Sequence, residues 1–475
     1  MYSLNEYQKD GLKYCLSVQH PALLWNMRLR KTLVIIRWLK LIDKWPVLIM
    51  CPNSAIAEWE EQLIRDNIND FLNLTGNTRQ DRLSKLNKCI TNMFIMVTSI
   101  NRHCSIENGL HFSPLSDLCR NYPKEVINRI CIINHDGFRS IPEIGKYPWK
   151  VVILDESHII RNLGAKGKNR FTRFCITNFR QAEHRCILTG TVMPENEIDL
   201  FNQLAFLSSD YAKPYKNYWD FRNKCFDYID FKPIIRPEGS RWIKDKLKMC
   251  SVKEYIDVGI KDRLKEEIIY VDLPKEIRQQ YDKLFREFIL SNEWLEKATI
   301  SSGARYVWMR QLIGGFVEEK LVHHEKIDRI FELFNIRGEQ LVIWSRFNNE
   351  VSLISERLGV PFINGTITNK KRSDIINSFK NKEFPILSAN PYCFAHGGNL
   401  SVAYVEVYYS LPESGLIFNQ SKRRIFDIDQ KQDKMCYYIV ARNTLDEVIL
   451  DAHKRKVSVV KTIFEYARRE RMKIK

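Results

Sequence analysis

The chain's strongest constraint is a rhythm. Short runs of Val, Ile and Leu recur along it, apolar at nearly every position, with helix-like patterns between them. In the first part the runs are PALLW from residue 21, WPVLIMCP from 45, NMFIMVTSI from 92, RICIINH from 129, KVVILDES from 150 and RCILTGT from 185. A strand with one wet face alternates apolar and polar residues; a strand covered on both faces reads as these runs do. Helical patterns such as EWEEQLIRDNI from Glu58 supply the cover. Strands alternating with helices predict an α/β fold built on doubly wound parallel sheet.

The rhythm breaks at about residue 208. Up to 335 aromatic and charged residues dominate, as in KNYWDFRNKCFDYIDFKP and RQQYDKLFREFILSNEWLEKA, and mostly helices with a few short strands are expected. From 336 the alternation returns, with QLVIWSRF, VPFING, EFPILSAN, YVEVYYS and KMCYYIVA separated by patterns such as NEVSLISERLG and KKRSDIINSFK. The expected organisation is an N-terminal lobe over 1–207, a helical insert over 208–335, a second α/β lobe over 336–453 and a basic C-terminal helix over 454–475. The last 22 residues carry nine basic and two acidic side chains, and Val457, Val460, Phe464 and Ala467 fall on one helical face, as in a docking helix.

Charge narrows the class of partner. Against 57 Asp+Glu stand 74 Lys+Arg, a net charge of +17, which suits a polyanion such as nucleic acid. The twelve cysteines form no C-x-x-C pair and no zinc-spaced Cys/His cluster, so they read as buried small residues in a reducing compartment. Cys51, Cys131 and Cys186 lie in strand runs and are expected to pack. The polar start MYSLNEYQKDGLKYC has no secretory apolar region, and no run approaches the roughly 20 apolar residues of a membrane span. A soluble, intracellular protein with no membrane partner is expected.

In open α/β sheets ligands bind at the carboxyl ends of strands, so chemistry should follow the runs. After PALLW comes NMRLRKT, and TLVIIRWLK then opens a helix. Backbone N–H groups at such a loop attract phosphate; Lys31 would reach the β/γ-phosphates and the Thr32 hydroxyl would bind Mg2+. KVVILDESHII delivers Asp155 and Glu156 to a strand end. Asp155 is placed to hold Mg2+ through water, and Glu156 to orient and deprotonate an attacking water. Ser157 and His158 complete a D-E-x-H box, and RCILTGT places Thr189, Gly190 and Thr191 after the next strand.

In this order the motifs resemble those of superfamily-two helicases, specifically the Swi/Snf-type remodeller ATPases, and the resemblance runs through nearly the whole chain. LNEYQKDGLKY is similar to the adenine-reading Q motif, with Gln8 as reader, and PVLIMCPNSAIAEWEEQL to the family's P-x-S-L-x-x-x-W segment. LTGTVMPENEIDLFNQLAFL follows the long LTGTP-x-x-N-x-x-x-D-L pattern through Asn196, Asp199 and Leu200. In the second lobe INGTITNKKRSDIINSF, FAHGGNLSVA, with Gly397 and Asn399, and QSKRRIFDIDQ, with Gln420 and Arg424, resemble further family segments, and TLDEVIL the closing helix. The resemblance implies two RecA-like lobes with ATP and Mg2+ between them. It also implies a monomer that grips duplex DNA without base readout and moves along it as the cleft opens and closes. Phosphate contacts fall to Arg28, Arg30, Lys31 and Thr32; catalysis to Lys31, Asp155, Glu156 and Arg424; coupling to DNA to His158, Thr189, Gly190, Thr191, Gly397, Asn399 and Gln420.

Positions in both lobes depart from the pattern. Arg30 replaces the glycine before the lysine, and M-R-L, with Arg28, stands for M-G-L, a form closer to viral or phage members. Asp427 stands where the family carries its second arginine, the finger on the leaving phosphate, and Asp429 replaces the next glycine. Two readings follow: an ATP-driven DNA translocase, or a weakened or inactive helicase-like scaffold that still binds nucleic acid. Of the remaining residues, Trp344 is expected to pack, and His103, His135, His323 and His324 to be structural or at the surface rather than metal ligands.

Overall fold

The computed structural model describes residues 3–474 apart from 77, 88–128, 162, 164–169, 195, 230–231, 255–263, 291–302, 318–319, 338–339, 395–397, 427–432 and 456. The chain divides into two compact units, Met1–Val258 and Gly259–Lys475. The first is built on a seven-stranded sheet. Its strands are β1 (Ala22–Trp25), β2 (Val47–Cys51), β3 (Phe71–Asn73), β4 (Ile130–Asn134), β5 (Val151–Asp155), β6 (His184–Thr189) and β9 (Ser251–Lys253), in the order β3-β4-β2-β5-β6-β1-β9. Every neighbouring pair is parallel. The apolar runs follow from this: Leu24, Leu48, Val152 and Ile187 feed one core cluster, while Leu23, Ile49 and Ile153, on the opposite pleats, are equally buried. Helices α1 (Glu6–Ser17), α2 (Lys31–Ile42) and α3 (Ile56–Arg65) alternate with the first strands.

The second unit holds a six-stranded, wholly parallel sheet. Its strands are β10 (Leu264–Val271), β13 (Leu341–Trp344), β14 (Phe362–Ile363), β15 (Ile386–Ala389), β16 (Val405–Tyr408) and β17 (Lys434–Ala441), in the order β10-β17-β16-β13-β15-β14. Two antiparallel hairpins complete the strands: β7 (Phe226–Ile229) with β8 (Lys232–Ile235), and β11 (Phe316–Val317) with β12 (Lys320–Leu321). The two-sheet α/β architecture expected from the rhythm is present. Residues 208–335, read as one insert, are divided at the unit boundary, and each part gives its unit an edge strand, β9 to the first sheet and β10 to the second.

The run NMFIMVTSI from 92 lies outside the described residues. The C-terminal helix Val459–Ile474 forms, but its docking face is centred on Val459, Ile463 and Ala467, which are buried, while Val457 precedes the helix and is exposed. Cys51, Cys131, Cys186 and Trp344 are fully buried, as expected of packing residues, and the described cysteines are free thiols. Among the described residues no helix is long and apolar enough to cross a membrane.

Candidate functional site

The carboxyl end of β1 sets the site. All four β1 residues are buried, and α2 buries Leu33, Val34, Ile35, Ile36, Trp38 and Leu39, so packing anchors the strand and the helix on either side of the loop. Within that loop Leu29 is also fully buried. Its carbonyl accepts from the Gln8 side-chain amide at 3.4 Å, while Gln8 Oε1 accepts from the Asn5 amide at 2.9 Å. Gln8, the expected adenine reader, joins the start of α1 to the loop after β1.

On either side of Leu29 the backbone turns left-handed: φ is 64° at Arg28 and 55° at Arg30, which is the N-cap of α2. These are conformations that glycine adopts freely and that a Cβ penalises. The loop therefore keeps the path a glycine would take, with two arginines holding it. Lys31 opens α2, and its ammonium donates to the carbonyls of Trp25 at 3.0 Å and Asn26 at 3.3 Å. Burial lowers the Lys31 pKa, against the pull of Glu156 and Asp155, whose negative charges act on it. Thr32 follows, half-buried.

Asp155 ends β5. Its Oδ2 accepts from Trp59 Nε1 at 3.0 Å and its Oδ1 from the Glu156 amide at 2.9 Å. Burial, and then the neighbouring Glu156 charge, push the Asp155 carboxyl up to about 7, opposed by the Trp59 hydrogen bond and by Lys31. Glu156 is left-handed (φ 50°) and starts the short turn Ser157–Ile160. Its Oε2 lies 3.2 Å from His158 Nδ1 and accepts from Thr189 Oγ1 at 3.4 Å. His158 Nδ1 and Thr189 Oγ1 are themselves 3.3 Å apart, and Thr189 Oγ1 also accepts from the Thr191 amide at 3.0 Å. The D-E-x-H box and the T-G-T turn thus close on one another. A buried amide locks them from behind: Gln203, on the helix Leu200–Leu207, accepts from Ser157 Oγ at 2.7 Å and donates to the carbonyls of Val192 and Asp199. Gly190 lies against the phosphate loop, so close that a Cβ would come within 2.6 Å of Met27 Cγ.

His135 has the structural role expected of it, its Nε2 lying 3.1 Å from the Asp155 carbonyl oxygen. Two contributors are not marked as site residues by any motif: Trp59, visible only as part of its segment, and Gln203, inside an apolar helix. A buried glutamine in such a helix is the one signal that could have been followed.

In the second unit Asn399 Oδ1 accepts from the Ser401 amide at 3.0 Å, and the Leu400 amide donates to the Arg424 carbonyl at 3.1 Å, so these two family segments meet. Gln420 is fully buried on the helix Gly415–Lys422, and Arg424 follows just beyond it, 7% exposed. Gly397, Asp427 and Asp429 lie outside the described residues.

A strand–loop–helix with a lysine at the helix start, beside an acidic strand end, is the layout of a nucleoside-triphosphate site. The SNF2-related domain family matches residues 7–327, and the chain belongs to that family. The chain is 23% identical over 493 residues to the TATA-binding protein-associated factor mot1 of Aspergillus fumigatus, covering 89% of this chain and 24% of that protein. It is 20% identical over 488 residues to the putative ATP-dependent helicase/translocase YwqA of Bacillus subtilis, covering 94% of this chain and 47% of the relative. It therefore spans less than half the length of either. Among solved structures, the Sulfolobus solfataricus SWI2/SNF2 ATPase core in complex with dsDNA aligns at 18% identity over 95% of this chain and 90% of that chain, with a TM-score of 0.43.

Proposed function

We propose that this chain hydrolyses ATP with Mg2+ at the loop between β1 and α2 and uses the cycle to translocate on, or remodel, duplex DNA. The observation that supports it most is the meeting of Lys31, Asp155, Glu156 and the His158–Thr189 pair at the carboxyl ends of three parallel strands. The donor set suits Mg2+: Asp155 and the Thr32 hydroxyl offer oxygen only, and a nucleotide-borne Mg2+ needs one or two carboxylates besides phosphate oxygens. Among the described residues no three His, Cys, Asp or Glu gather to hold a resident metal. When bound, the cation neutralises charge on the transferring phosphoryl group. The chain's own residues do the rest. Lys31 exchanges its two carbonyl partners for phosphate oxygens. Glu156, held between His158 and Thr189, orients the attacking water and takes its proton. The Thr189–Thr191 turn reports the change to the rest of the unit. The duplex is gripped by its phosphates, in keeping with the net charge of +17.

The test is ATP turnover with and without duplex DNA, against Glu156→Gln, which keeps the cation ligand and removes the base. DNA-stimulated turnover in the unaltered protein, absent from the variant, is expected. Equal turnover in the two would refute the enzyme reading. The left-handed arginines favour a second reading, a nucleic-acid-binding scaffold with weak or no hydrolysis. In that case DNA affinity would not change between ATP and ADP.

A further inference from the structure

The Asp155 carboxylate is held from two directions by groups that can only donate. The Trp59 indole N–H takes one lone pair of Oδ2, and the Glu156 backbone amide takes one of Oδ1. An ionised carboxylate offers about four lone-pair positions, so two remain, on edges fixed by these donors. Trp59 is itself immobile, 1% exposed in the first turn of α3. That helix starts directly from the short turn Asn53–Ala55 after β2. The neighbouring strand ends are joined to it: Asn134 Nδ2 donates to Asn53 Oδ1 at 3.2 Å, and the next residue, His135, meets the Asp155 carbonyl.

We propose that Trp59 is a positioning residue for the divalent cation of the nucleotide: its indole N–H fixes the edge of Asp155 that receives the cation's shell, and it links that edge to the turn after β2. The proposal rests on the ATP reading above. Hydrogen-bond partners behind a metal ligand commonly matter about 10- to 100-fold in metal affinity. Trp59 differs from a packing tryptophan in that its N–H, not its area, carries the effect.

The experiment measures affinity for a fluorescent ATP analogue by anisotropy, in excess EDTA and in excess Mg2+, on the full chain. The ratio of the two affinities is the cation's contribution and does not require turnover. Trp59→Phe keeps an aromatic ring and removes the N–H; replacement of Trp59 by 3-benzothienylalanine keeps the bicyclic shape as well. Both should cut the Mg2+-dependent gain by about tenfold or more while leaving the EDTA affinity near that of the unaltered protein. Leu63→Ala, which opens a cavity in the same helix, should leave the gain unchanged. An undiminished gain in the benzothienyl protein overturns the proposal, as does an equal loss in EDTA and in Mg2+. If the unaltered protein binds no nucleotide, the ATP reading itself falls. Binding with an unchanged gain overturns only the role of Trp59.

Discussion

Arg30→Gly tests the phosphate loop most directly, since it acts on the backbone and the charge at once. At φ 55° and ψ 46° the arginine sits in the left-handed well, where a Cβ costs about 1–2 kcal/mol. Glycine removes that cost but gives back part of it as extra freedom in the unfolded chain, about 0.4–1 kcal/mol. The net expectation is a gain between about 0 and 1.6 kcal/mol in the first unit, about 0.8 at the middle of the ranges, which for a unit of this size raises the midpoint of thermal unfolding by about 2–3 °C. Turnover carries the second half of the result. If the arginine merely blocks close approach of phosphate, the variant should turn over ATP at least tenfold faster, about 1.4 kcal/mol of barrier. If its guanidinium serves the phosphates, turnover should fall despite the gain in stability. Differential scanning calorimetry and a coupled ATPase assay on the same preparation separate the two. A fall in stability would refute the strain argument, because the left-handed arginine would then cost less than the freedom that glycine adds to the unfolded chain. Arg28→Gly, at φ 64°, serves as the internal repeat.

Gly190→Ala should weaken ATP-analogue binding, because its Cβ would meet Met27 Cγ at 2.6 Å and the Met27 amide nitrogen at 3.2 Å. Overpacking of this kind costs about 1–3 kcal/mol, and Met27→Ala in the same chain should restore part of it; unchanged affinity in Gly190→Ala would show that the turn and the loop move independently. In the second unit Glu406 is fully buried on β16, accepting from Trp344 Nε1 at 2.9 Å, and burial pushes its carboxyl up from 4.5 to about 8. The folded state then keeps a proton that the unfolded state releases between roughly pH 4.5 and 8, so stability should fall as pH rises through that window. Glu350, raised by burial to about 7, adds to the same trend. Urea midpoints at pH 5 and pH 8 should show the decline, and Glu406→Gln should flatten it; an equally steep decline in the variant would place the cause elsewhere.

The strands were legible because burial on both faces leaves a continuous apolar run, and ten of the runs became β1, β2, β4, β5, β6, β13, β14, β15, β16 and β17 within a residue or two. The other edge strands, β3, β9 and β10, were not. In β10, Lys265, Glu266 and Glu267 are exposed, so LKEEIIYV has no such run to read, and three-residue strands such as β3 and β9 are too short to carry a period. The acidic strand end and the lysine at the helix start could be read because the chemistry dictates residue type at a fixed offset from a strand. Trp59 and His135 could not, because each meets Asp155 through a long-range hydrogen bond and nothing local marks it, while Gln203 is marked only by being an amide inside an apolar helix. Gln8 is the instructive middle case: its position was legible, but the partners of its amide, Leu29 and Asn5, follow only from how α1 lies on the loop.

The short strand β9 has a mechanical consequence. It pairs with β1 in parallel register, Trp25 opposite Lys253, and the last rung is the bond from the Asn26 amide, the first residue of the phosphate loop, to the Lys253 carbonyl at 2.9 Å. Trp25 Nε1 adds a cross-link to Ser251 Oγ at 2.9 Å. The polypeptide leaves the first sheet along this strand. A pull on it loads the rungs in shear, all at once rather than one by one, and the load enters β1 at the residue where the loop begins. Tension along the chain beyond Lys253 would therefore be sensed first at the loop after β1, which makes β9 a strain gauge wired to the proposed nucleotide site.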